Sequence, residues 1–225
     1  MRILHVTDFH FRRPWFEWLA RRAPEFDLCC FTGDWLDMFP SAKVGLHEQS
    51  RWVRAWLKDF PIRLYGCTGN HDWWQPSEFA NDNDALGGWL RKARRSLVAV
   101  DGASELHDGY HFVCCPWAGA PQAPGPAPAI VLVHAPPLRS PVASDSGWEA
   151  GDPDVADAIP RLPPHSLLLC GHVHQPARWC VRIGSTWCFN PGVDFSATVP
   201  NHIIIDTTVC TADAHGWGKT LHQDL

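Results

Sequence analysis

Five short apolar segments of this chain each run directly into residues that bind metals or move protons. Nearly continuous apolar runs of this length are typical of β-strands that are buried on both faces. In open α/β sheets the carboxyl ends of such strands form the binding edge, so we expect the polar residues to gather there. The segments are residues 3–7 before Asp8 and His10, 28–32 before Asp34 and Asp37, 62–67 before Asn70, His71 and Asp72, 130–133 before His134, and 167–170 before His172 and His174.

Amphipathic stretches separate the first three segments. Apolar residues at helical spacing predict helices over residues 14–22 and 44–59, and a third helix over 84–95 that ends in a basic run. Strands that alternate with helices indicate βαβ units and a largely parallel sheet. The second half is richer in strands: we predict hairpins over 105–115 and 178–189 and a final strand over 202–208. Residues 118–128 are interpreted as a surface loop, and residues 138–152 as a loop long enough to form a lid.

Length and composition limit the class of protein. With 225 residues, 45% of them hydrophobic and 19% charged, the chain is predicted to form one globular domain over 1–225. The formal net charge of −5 argues against a protein that coats nucleic acid. No apolar run approaches the roughly 20 residues of a membrane span and no signal peptide is recognised, so we expect a cytoplasmic protein. The nine cysteines have no CxxC spacing and are interpreted mainly as reduced core thiols.

The strand ends offer carboxylate, imidazole and amide ligands without a thiolate. That mixture suits Mn²⁺, Fe, Zn²⁺, Co²⁺ or Ni²⁺ better than a calcium cage or a structural zinc site. Each piece alone also has a structural reading, as a turn or as a buried core histidine. Seven ligands are too many for one ion but suffice for two ions that share a carboxylate. The candidates are Asp8, His10, Asp34, Asn70, His134, His172 and His174.

The order of these pieces resembles the motifs of the calcineurin-like metallophosphoesterases. The similarity covers residue 1 to about 192, where Asn190-Pro191-Gly192 resembles a turn common in the small phosphodiesterases of that superfamily. One departure is Met38, where many members carry an arginine. The matching motifs are Asp8-x-His10, Gly33-Asp34-x-x-Asp37, Gly69-Asn70-His71-Asp72, His134 and Gly171-His172-x-His174.

This resemblance implies an α/β fold, a four-layer α/β/β/α sandwich of two mixed sheets flanked by helices. It also implies that Asp34 bridges two metal ions, Mn²⁺ first among the candidates, which clamp the phosphoryl group and turn a bridging water into a hydroxide for in-line attack. His71 would donate a proton to the leaving group or stabilise charge on a phosphate oxygen, with Asp37 orienting its imidazole or supporting its charged form. Asp72 is interpreted as a loop-anchoring carboxylate. The ligands implied for one ion are Asp8, His10, Asp34 and His174, and those for the other are Asp34, Asn70, His134 and His172.

The predicted function is a dinuclear metal-dependent phosphoesterase, with a phosphodiesterase favoured, that acts on a small or nucleotide-like substrate. The alternatives are a phosphomonoesterase or a nuclease of the same superfamily, or a non-catalytic metal-binding scaffold, for which a proton donor at His71 has no use. Extended nucleic acid is disfavoured as a substrate, and no membrane partner is expected. Tryptophans near the strand ends could stack a flat group or pack beneath the loops, and Arg12 and Arg13 could meet a phosphate; they are Trp35, Trp73, Trp74 and Trp117.

Overall fold

The computed structural model describes residues 1–39, 42–75, 83–122, 125–145 and 147–225. These residues form fifteen strands and four α-helices. The strands are β1 (Arg2–Val6), β2 (Leu28–Thr32), β3 (Arg63–Cys67), β4 (Val98–Val100), β5 (Ser104–His107), β6 (Tyr110–Cys114), β7 (Ala129–Leu132), β8 (Ser144–Asp145), β9 (Trp148–Glu149), β10 (Leu167–Leu169), β11 (Cys180–Ile183), β12 (Thr186–Phe189), β13 (His202–Asp206), β14 (Thr211–Gly216) and β15 (Lys219–Asp224). The helices are α1 (Arg13–Arg22), α2 (Leu46–Lys58), α3 (Gly88–Arg91) and α4 (Pro153–Ala158), and 3₁₀ turns span Ala23–Glu25, Asn70–Asp72 and Ile159–Arg161.

The first sheet has seven strands in the order β15-β14-β13-β1-β2-β3-β4. Strands β1 to β4 run parallel, whereas β13 lies antiparallel to β1 and continues into an antiparallel meander through β14 and β15. Strands β1 and β2 are almost wholly buried, which explains their nearly continuous apolar sequences. The carboxyl ends of β1, β2 and β3 therefore point to the same edge of this sheet.

The second sheet has six strands in the order β11-β12-β10-β7-β6-β5. Strands β6, β7, β10 and β12 run parallel, and β5 and β11 are antiparallel edges. A separate two-stranded hairpin pairs β8 with β9. The carboxyl ends of β7 and β10, which precede the later polar motifs, are thus adjacent.

Three apolar clusters separate the layers of the molecule. Between the sheets, side chains such as Ile3 and Tyr65 of the first sheet pack against Phe112, Ile130 and Phe189 of the second. The outer face of the first sheet is covered by α1, α2 and α3, and the outer face of the second is covered by α4 and the turn after it. The order of layers is helix, sheet, sheet, helix, which confirms the predicted four-layer α/β/β/α sandwich of two mixed sheets.

Helices α1 and α2 and both predicted hairpins are confirmed, but the third predicted helix is largely wrong. Over residues 84–95 only the four residues of α3 are α-helical. Gly87, with φ of +73°, precedes α3, and the guanidinium of Arg95 donates to the carbonyls of Leu57 and Phe60 at the end of α2. Arg95 therefore holds backbone carbonyls instead of extending a helix.

The strand predicted over residues 202–208 is confirmed as β13, but the expectation that it is the final strand is wrong. Strands β14 and β15 follow it, and five of the six residues of β15 are exposed. A polar strand at a sheet edge lacks the apolar run by which the other strands were recognised. Its side chains face water, so hydrogen bonds to β14 define it.

Two loop predictions and the cysteine prediction can be compared with the structure. The segment 138–152, of which residue 146 is not described, contains the β8–β9 hairpin. Hydrogen bonds from Leu138 N to Asp152 O and from Arg178 N to Pro141 O fix its position. Residues 118–122 and 125–128 contain no helix or strand, and residues 123–124 lie outside the described part, as do residues 76–82. All nine cysteines are free and eight are buried, as expected of core thiols. In the described ranges no helix is long and apolar enough to span a bilayer.

Candidate metal centre

The polar residues that follow β1, β2, β3, β7 and β10 meet at one edge of the two packed sheets. Backbone hydrogen bonds join the first two loops, because Asp8 N donates to Gly33 O at 3.0 Å and His10 N donates to Asp34 O at 2.9 Å. Gly171 N, after β10, donates to His134 O at 2.9 Å. The structure thus brings together all seven residues that the sequence nominated as ligands.

Several of these residues adopt a left-handed backbone that side chains other than glycine rarely take. The φ angles are +54° at Asp8, +42° at His10, +54° at Asp34 and +68° at His172. Such conformations are costly and concentrate at functional sites, where they aim a side chain that regular backbone would direct elsewhere. Glycine beside them gives the room: a β-carbon at Gly171 would collide with Thr7 and Asp8.

A first group of ligand atoms surrounds Asp8. Its Oδ1 lies 3.5 Å from His174 Nε2 and 3.8 Å from His10 Nε2, and the two imidazole nitrogens are 3.3 Å apart. The other carboxylate oxygen, Oδ2, accepts the Thr7 hydroxyl at 2.6 Å and the His172 N–H at 3.0 Å. One oxygen therefore anchors the carboxylate while the other faces the histidines.

A second group of ligand atoms surrounds Asn70. Its Oδ1 lies 2.9 Å from His172 Nδ1 and 3.1 Å from His134 Nε2. His134 Nδ1 lies 2.7 Å from the carbonyl oxygen of Thr32, to which it can only donate. That hydrogen bond leaves Nε2 as the ring atom that faces the group, an arrangement common among metal-binding histidines.

Asp34 lies between the two groups. Its Oδ2 is 3.3 Å from His134 Nε2 and 3.7 Å from His10 Nε2, while its Oδ1 accepts the His71 N–H at 2.8 Å. The carboxylate is almost fully buried. A single side chain therefore borders the ligand atoms of both groups.

The electrostatics of the site favour positive charge beside the two buried carboxylates. Burial alone would raise the pKa of Asp8 and of Asp34, but the surrounding histidines hold both below their usual range. Desolvation lowers the pKa of His10 and of His172 to about 4, so both rings are neutral at pH 7. For His134, desolvation is outweighed by Asp34 and Asp8, which raise its pKa to about 9.

The donor set fits divalent metal ions. Within the described part of the chain, Asp8 Oδ1 and His10 Nδ1 are buried polar atoms with no hydrogen-bond partner, and leaving such atoms unpaired in the interior is costly. Carboxylate, imidazole and amide donors match the preferences of Mn, Fe, Co, Ni and Zn ions. Among the described residues, three sets have ligand atoms within 4.8 Å of one another: Asp8, His10 and His174; Asp8, Asp34 and His134; and His10, Asp34 and His71.

His71 lies beside the first group, with its ring centre 4.6 Å from that of His10. Its Nδ1 accepts the Met38 N–H at 3.1 Å. The Asp37 carboxylate accepts the Phe39 N–H at 2.9 Å, and the hydrogen bonds of the described residues do not include the expected contact between Asp37 and the imidazole. The backbone that follows Asp37, not its carboxylate, therefore reaches His71.

Asp72 has the anchoring role predicted for it. The carboxylate is buried and accepts the N–H groups of Gly69, Leu36 and Trp35 at 2.8, 3.0 and 3.3 Å. Burial, together with the nearby charge of Asp34, raises its pKa well above the usual value. Asp72 thus ties the loop after β3 to the loop after β2.

The tryptophans divide between core and site. Trp35 is fully buried and stacks on Phe31 with ring centres 3.5 Å apart, so it packs beneath the loops. Trp117 instead lies against His134 and His172, at 5.5 and 5.4 Å. Its backbone N–H donates to Thr68 Oγ1 at 3.0 Å, and the sequence pattern did not single out Thr68.

Three further residues near the site were missed from the sequence. Asp101 accepts both the N–H and the hydroxyl of Thr68 at 2.9 Å, and so supports the loop that carries Asn70. Phe39 and Phe195 have rings within 5.5 Å of His10. An aspartate at a strand end could have signalled the first, but nothing local marks the two phenylalanines.

Comparison with solved structures identifies the same fold in other proteins. A protein from Thermus thermophilus aligns over 99% of this chain and 98% of its own, with a TM-score of 0.57 and 16% identity. Yfce, a phosphoesterase from E. coli, aligns over 100% and 99%, with a TM-score of 0.53 and 13% identity. An archaeal phosphodiesterase aligns over 100% of both chains, with a TM-score of 0.51 and 13% identity. At such identities these likenesses establish the fold alone.

The sequence profile of one family also matches. The calcineurin-like phosphoesterase family covers residues 1–176, which include every strand-end motif described above. Among functionally curated proteins, no relative of the chain is found. On the extent of this match, the chain belongs to the calcineurin-like phosphoesterase family.

Proposed function

We propose that this member of a metal-dependent hydrolase family is a dinuclear phosphodiesterase that acts on a small or nucleotide-like phosphodiester. The observation that carries the proposal is the place of Asp34 Oδ2, 3.3 Å from His134 Nε2 and 3.7 Å from His10 Nε2. Two metal ions that act together on a phosphoryl group commonly share a bridging ligand, and a carboxylate bordering both sets of donors can provide it.

The proposed ligand sets follow the two groups of side chains. Asp8, His10 and His174 would hold one ion, and Asn70, His134 and His172 the other, with Asp34 in both sets. We take Mn²⁺ as the first candidate, while Fe, Zn²⁺, Ni²⁺ and Co²⁺ accept the same donors. Bound divalent cations would supply charge stabilisation for the phosphate and a nucleophilic water at neutral pH.

His71 would act as the proton donor to the leaving oxygen. Because its Nδ1 accepts the Met38 N–H, the neutral ring carries its hydrogen on Nε2. The ring lies beside His10 and is only partly buried, so this hydrogen can meet a substrate. The departing alkoxide of an in-line displacement needs charge stabilisation and a proton. The neutral ring would stabilise it through a hydrogen bond from Nε2. The proton itself would come from the imidazolium, which forms when Nδ1 takes a proton from solvent and releases the Met38 N–H, and which becomes neutral again after the transfer.

We assign Asp37 a positioning role through its own loop. Its carboxylate accepts the Phe39 N–H and its N–H donates to Gln49 Oε1 at 2.7 Å. These two bonds hold Met38, whose N–H contacts His71, from both sides. Asp37 would therefore orient His71 through the backbone between them.

Two observations favour a diester over a monoester or a nucleic acid. The motifs resemble those of small phosphodiesterases, and one structure of the same fold is an archaeal phosphodiesterase. The net charge of −5 gives little attraction to a long polyanion. The monoesterase, the nuclease and the non-catalytic scaffold are separated from the diesterase by the experiment below.

The test is a hydrolysis panel with Mn²⁺ that sets bis-(p-nitrophenyl) phosphate against p-nitrophenyl phosphate, 2′,3′- and 3′,5′-cyclic nucleotides and a single-stranded oligonucleotide. We expect diesters to be hydrolysed fastest and the His71→Ala protein to be nearly inactive. Faster turnover of the monoester would show a phosphomonoesterase, and faster turnover of the oligonucleotide would show a nuclease. Absence of turnover with Mn²⁺, Ni²⁺, Co²⁺ and Zn²⁺ alike would contradict the enzyme and support the non-catalytic scaffold.

A further inference from the structure

Two exposed phenylalanines lie beside the histidines of the candidate metal centre. The exposed fractions are 43% for Phe39 and 37% for Phe195, and in the described part of the chain no other phenylalanine is as exposed. Single exposed apolar side chains are ordinary on protein surfaces. What distinguishes these two is their location at one site, although they are far apart in sequence.

The two phenylalanines flank a row of three imidazoles. Phe39 lies 4.5 Å from His71 and 5.4 Å from His10, measured between ring centres. Phe195 lies 5.1 Å from His174 and 5.5 Å from His10. His10, which contacts both phenylalanines, is nearly buried. One exposed ring therefore lies against His71 and the other against His174.

Phe195 is held in place by α1. Its ring is parallel to that of Trp15, with an angle of 5° between planes and 6.2 Å between centres. Trp15 Nε1 donates to Ala197 O at 3.3 Å, and the Arg12 guanidinium lies 4.7 Å from the Trp15 ring and 5.7 Å from the Phe195 ring. These contacts hold the ring without covering it.

Phe39 is held by the same turn that positions the proposed proton donor. Its N–H donates to Asp37 Oδ1, and the preceding N–H, that of Met38, donates to His71 Nδ1. A ring that is already placed loses little freedom when a ligand binds against it. Both phenylalanines therefore have the properties of a preformed binding wall.

We infer that Phe39 and Phe195 form an aromatic subsite that binds a flat aromatic group of the phosphate-ester substrate. The inference rests on the proposed function, since it places the phosphate at the metal centre and next to His71. Aromatic rings bind flat groups through buried apolar area and through stacked or edge-to-face contacts. An aryl group or a nucleobase provides the apolar area and can form either contact, whereas a methyl group can form neither a stacked nor an edge-to-face contact.

The test measures binding to the Mn²⁺-loaded protein by titration calorimetry with non-hydrolysable phosphonates. Methylphosphonate and phenylphosphonate carry the same anionic group, so the ratio of their affinities isolates the ring. A third ligand, adenosine monophosphate with a methylene in place of its 5′ oxygen, distinguishes a nucleobase from a simple aryl group. We expect the wild-type protein to bind phenylphosphonate about tenfold or more tightly than methylphosphonate.

The variants Phe39→Ala and Phe195→Ala should each lower that ratio, and the double variant should bring it close to one. Phe39→Leu and Phe195→Leu keep apolar bulk without a flat ring, and an intermediate ratio there attributes the effect to the ring. The matched control is Leu106→Ala, another exposed apolar side chain, which lies on the edge strand β5 and should leave the ratio unchanged.

Three results would overturn the inference. A wild-type ratio near one, with methylphosphonate bound, removes the aromatic subsite but leaves the proposed function standing. A high ratio that the double variant retains locates the subsite elsewhere. If neither phosphonate binds the loaded protein, both the proposed function and the subsite fail.

Discussion

The Nδ1 atom of His71 accepts the backbone N–H of Met38 at 3.1 Å. Because Met38 contributes its main chain to this bond, the residue type there is free to differ from the arginine that many related proteins carry. The imidazole is held in the tautomer that presents an Nε2 hydrogen, and its Nδ1 is already occupied. Because its Nε2 carries a hydrogen, His71 suits a role as donor to the leaving group better than a role as metal ligand, which needs a free lone pair.

Replacement of His71 separates these two roles. In His71→Ala we expect the metal content to remain that of the wild type, while kcat falls by about 10²- to 10⁴-fold, the usual contribution of a positioned acid. Metal analysis by mass spectrometry and steady-state kinetics on the same samples check both values. Loss of an ion would contradict the assignment, since His71, His10 and Asp34 lie close enough to share one.

The shared position of Asp34 predicts a double loss of metal. We expect Asp34→Asn to retain clearly fewer ions than His172→Ala. Asp34 Oδ2 borders ligands of both groups, whereas the imidazole of His172 contacts Asn70 of the second group. Metal analysis after gel filtration measures both, and thermal unfolding with added Mn²⁺ checks that each variant is folded. Equal loss in the two variants would show that Asp34 does not bridge.

Asn190 should affect metal affinity without touching a metal. Its Nδ2 donates to the carbonyls of Gly171, Val173 and Val142 at 3.0, 3.0 and 3.1 Å, and thereby fixes the loop of His172 and His174. Loss of a group that orients ligands commonly weakens metal binding by about 10- to 100-fold, and we expect Asn190→Ala to fall in that range.

The matched control for Asn190 is Asn201→Ala, another buried asparagine, whose Nδ2 donates to Pro191 O at 3.4 Å. Titration of both apo proteins with Mn²⁺ compares the two affinities. An equal reduction in both variants would attribute the effect to general loosening of the fold.

Asp101 should make stability fall as the pH rises. Burial raises the pKa of its carboxyl from 3.8 to about 6, against the hydrogen bonds from Thr68 that lower it. The folded state therefore binds the proton more tightly than the unfolded state, so this contribution is present below pH 3.8 and lost as the pH rises through about 6. The shift corresponds to about 3 kcal/mol in the free energy of unfolding.

Asp101→Asn removes this titration. The difference in unfolding free energy between the variant and the wild type should change by up to about 3 kcal/mol in favour of the variant between about pH 4 and pH 7.5, measured by urea unfolding. Asp157→Asn, at an exposed position of α4, is the control and should show no such change. A constant difference for Asp101→Asn would contradict the raised pKa.

The sheets and the grouping of the candidate ligands could be predicted because their signals are local in sequence. Strands buried on both faces need continuous apolar runs, and a ligand must follow its strand within a few residues, as Asp8 follows β1. The resemblance between motifs supplied the two-sheet arrangement. The exposed strand β15 had no apolar run to reveal it, and its existence depends on hydrogen bonds to β14.

Other features depend on contacts between distant residues. The third helix is short because Arg95 binds the carbonyls of Leu57 and Phe60. The spacing of apolar residues within the helix does not reveal such a distant contact. Trp35 has the sequence position of a site residue, yet its ring packs on Phe31 in the core. Phe39 and Phe195 approach His10 from opposite ends of the chain, and no spacing rule links them.

The distribution of cysteines has a practical consequence for spectroscopy. Burial raises the pKa of all eight interior thiols, which keeps them protonated and unreactive in the folded protein. Cys210, in the turn between β13 and β14, is exposed. A maleimide dye or spin label added to the native protein should therefore attach at Cys210 alone. A singly labelled protein can thus be prepared without removing any native cysteine.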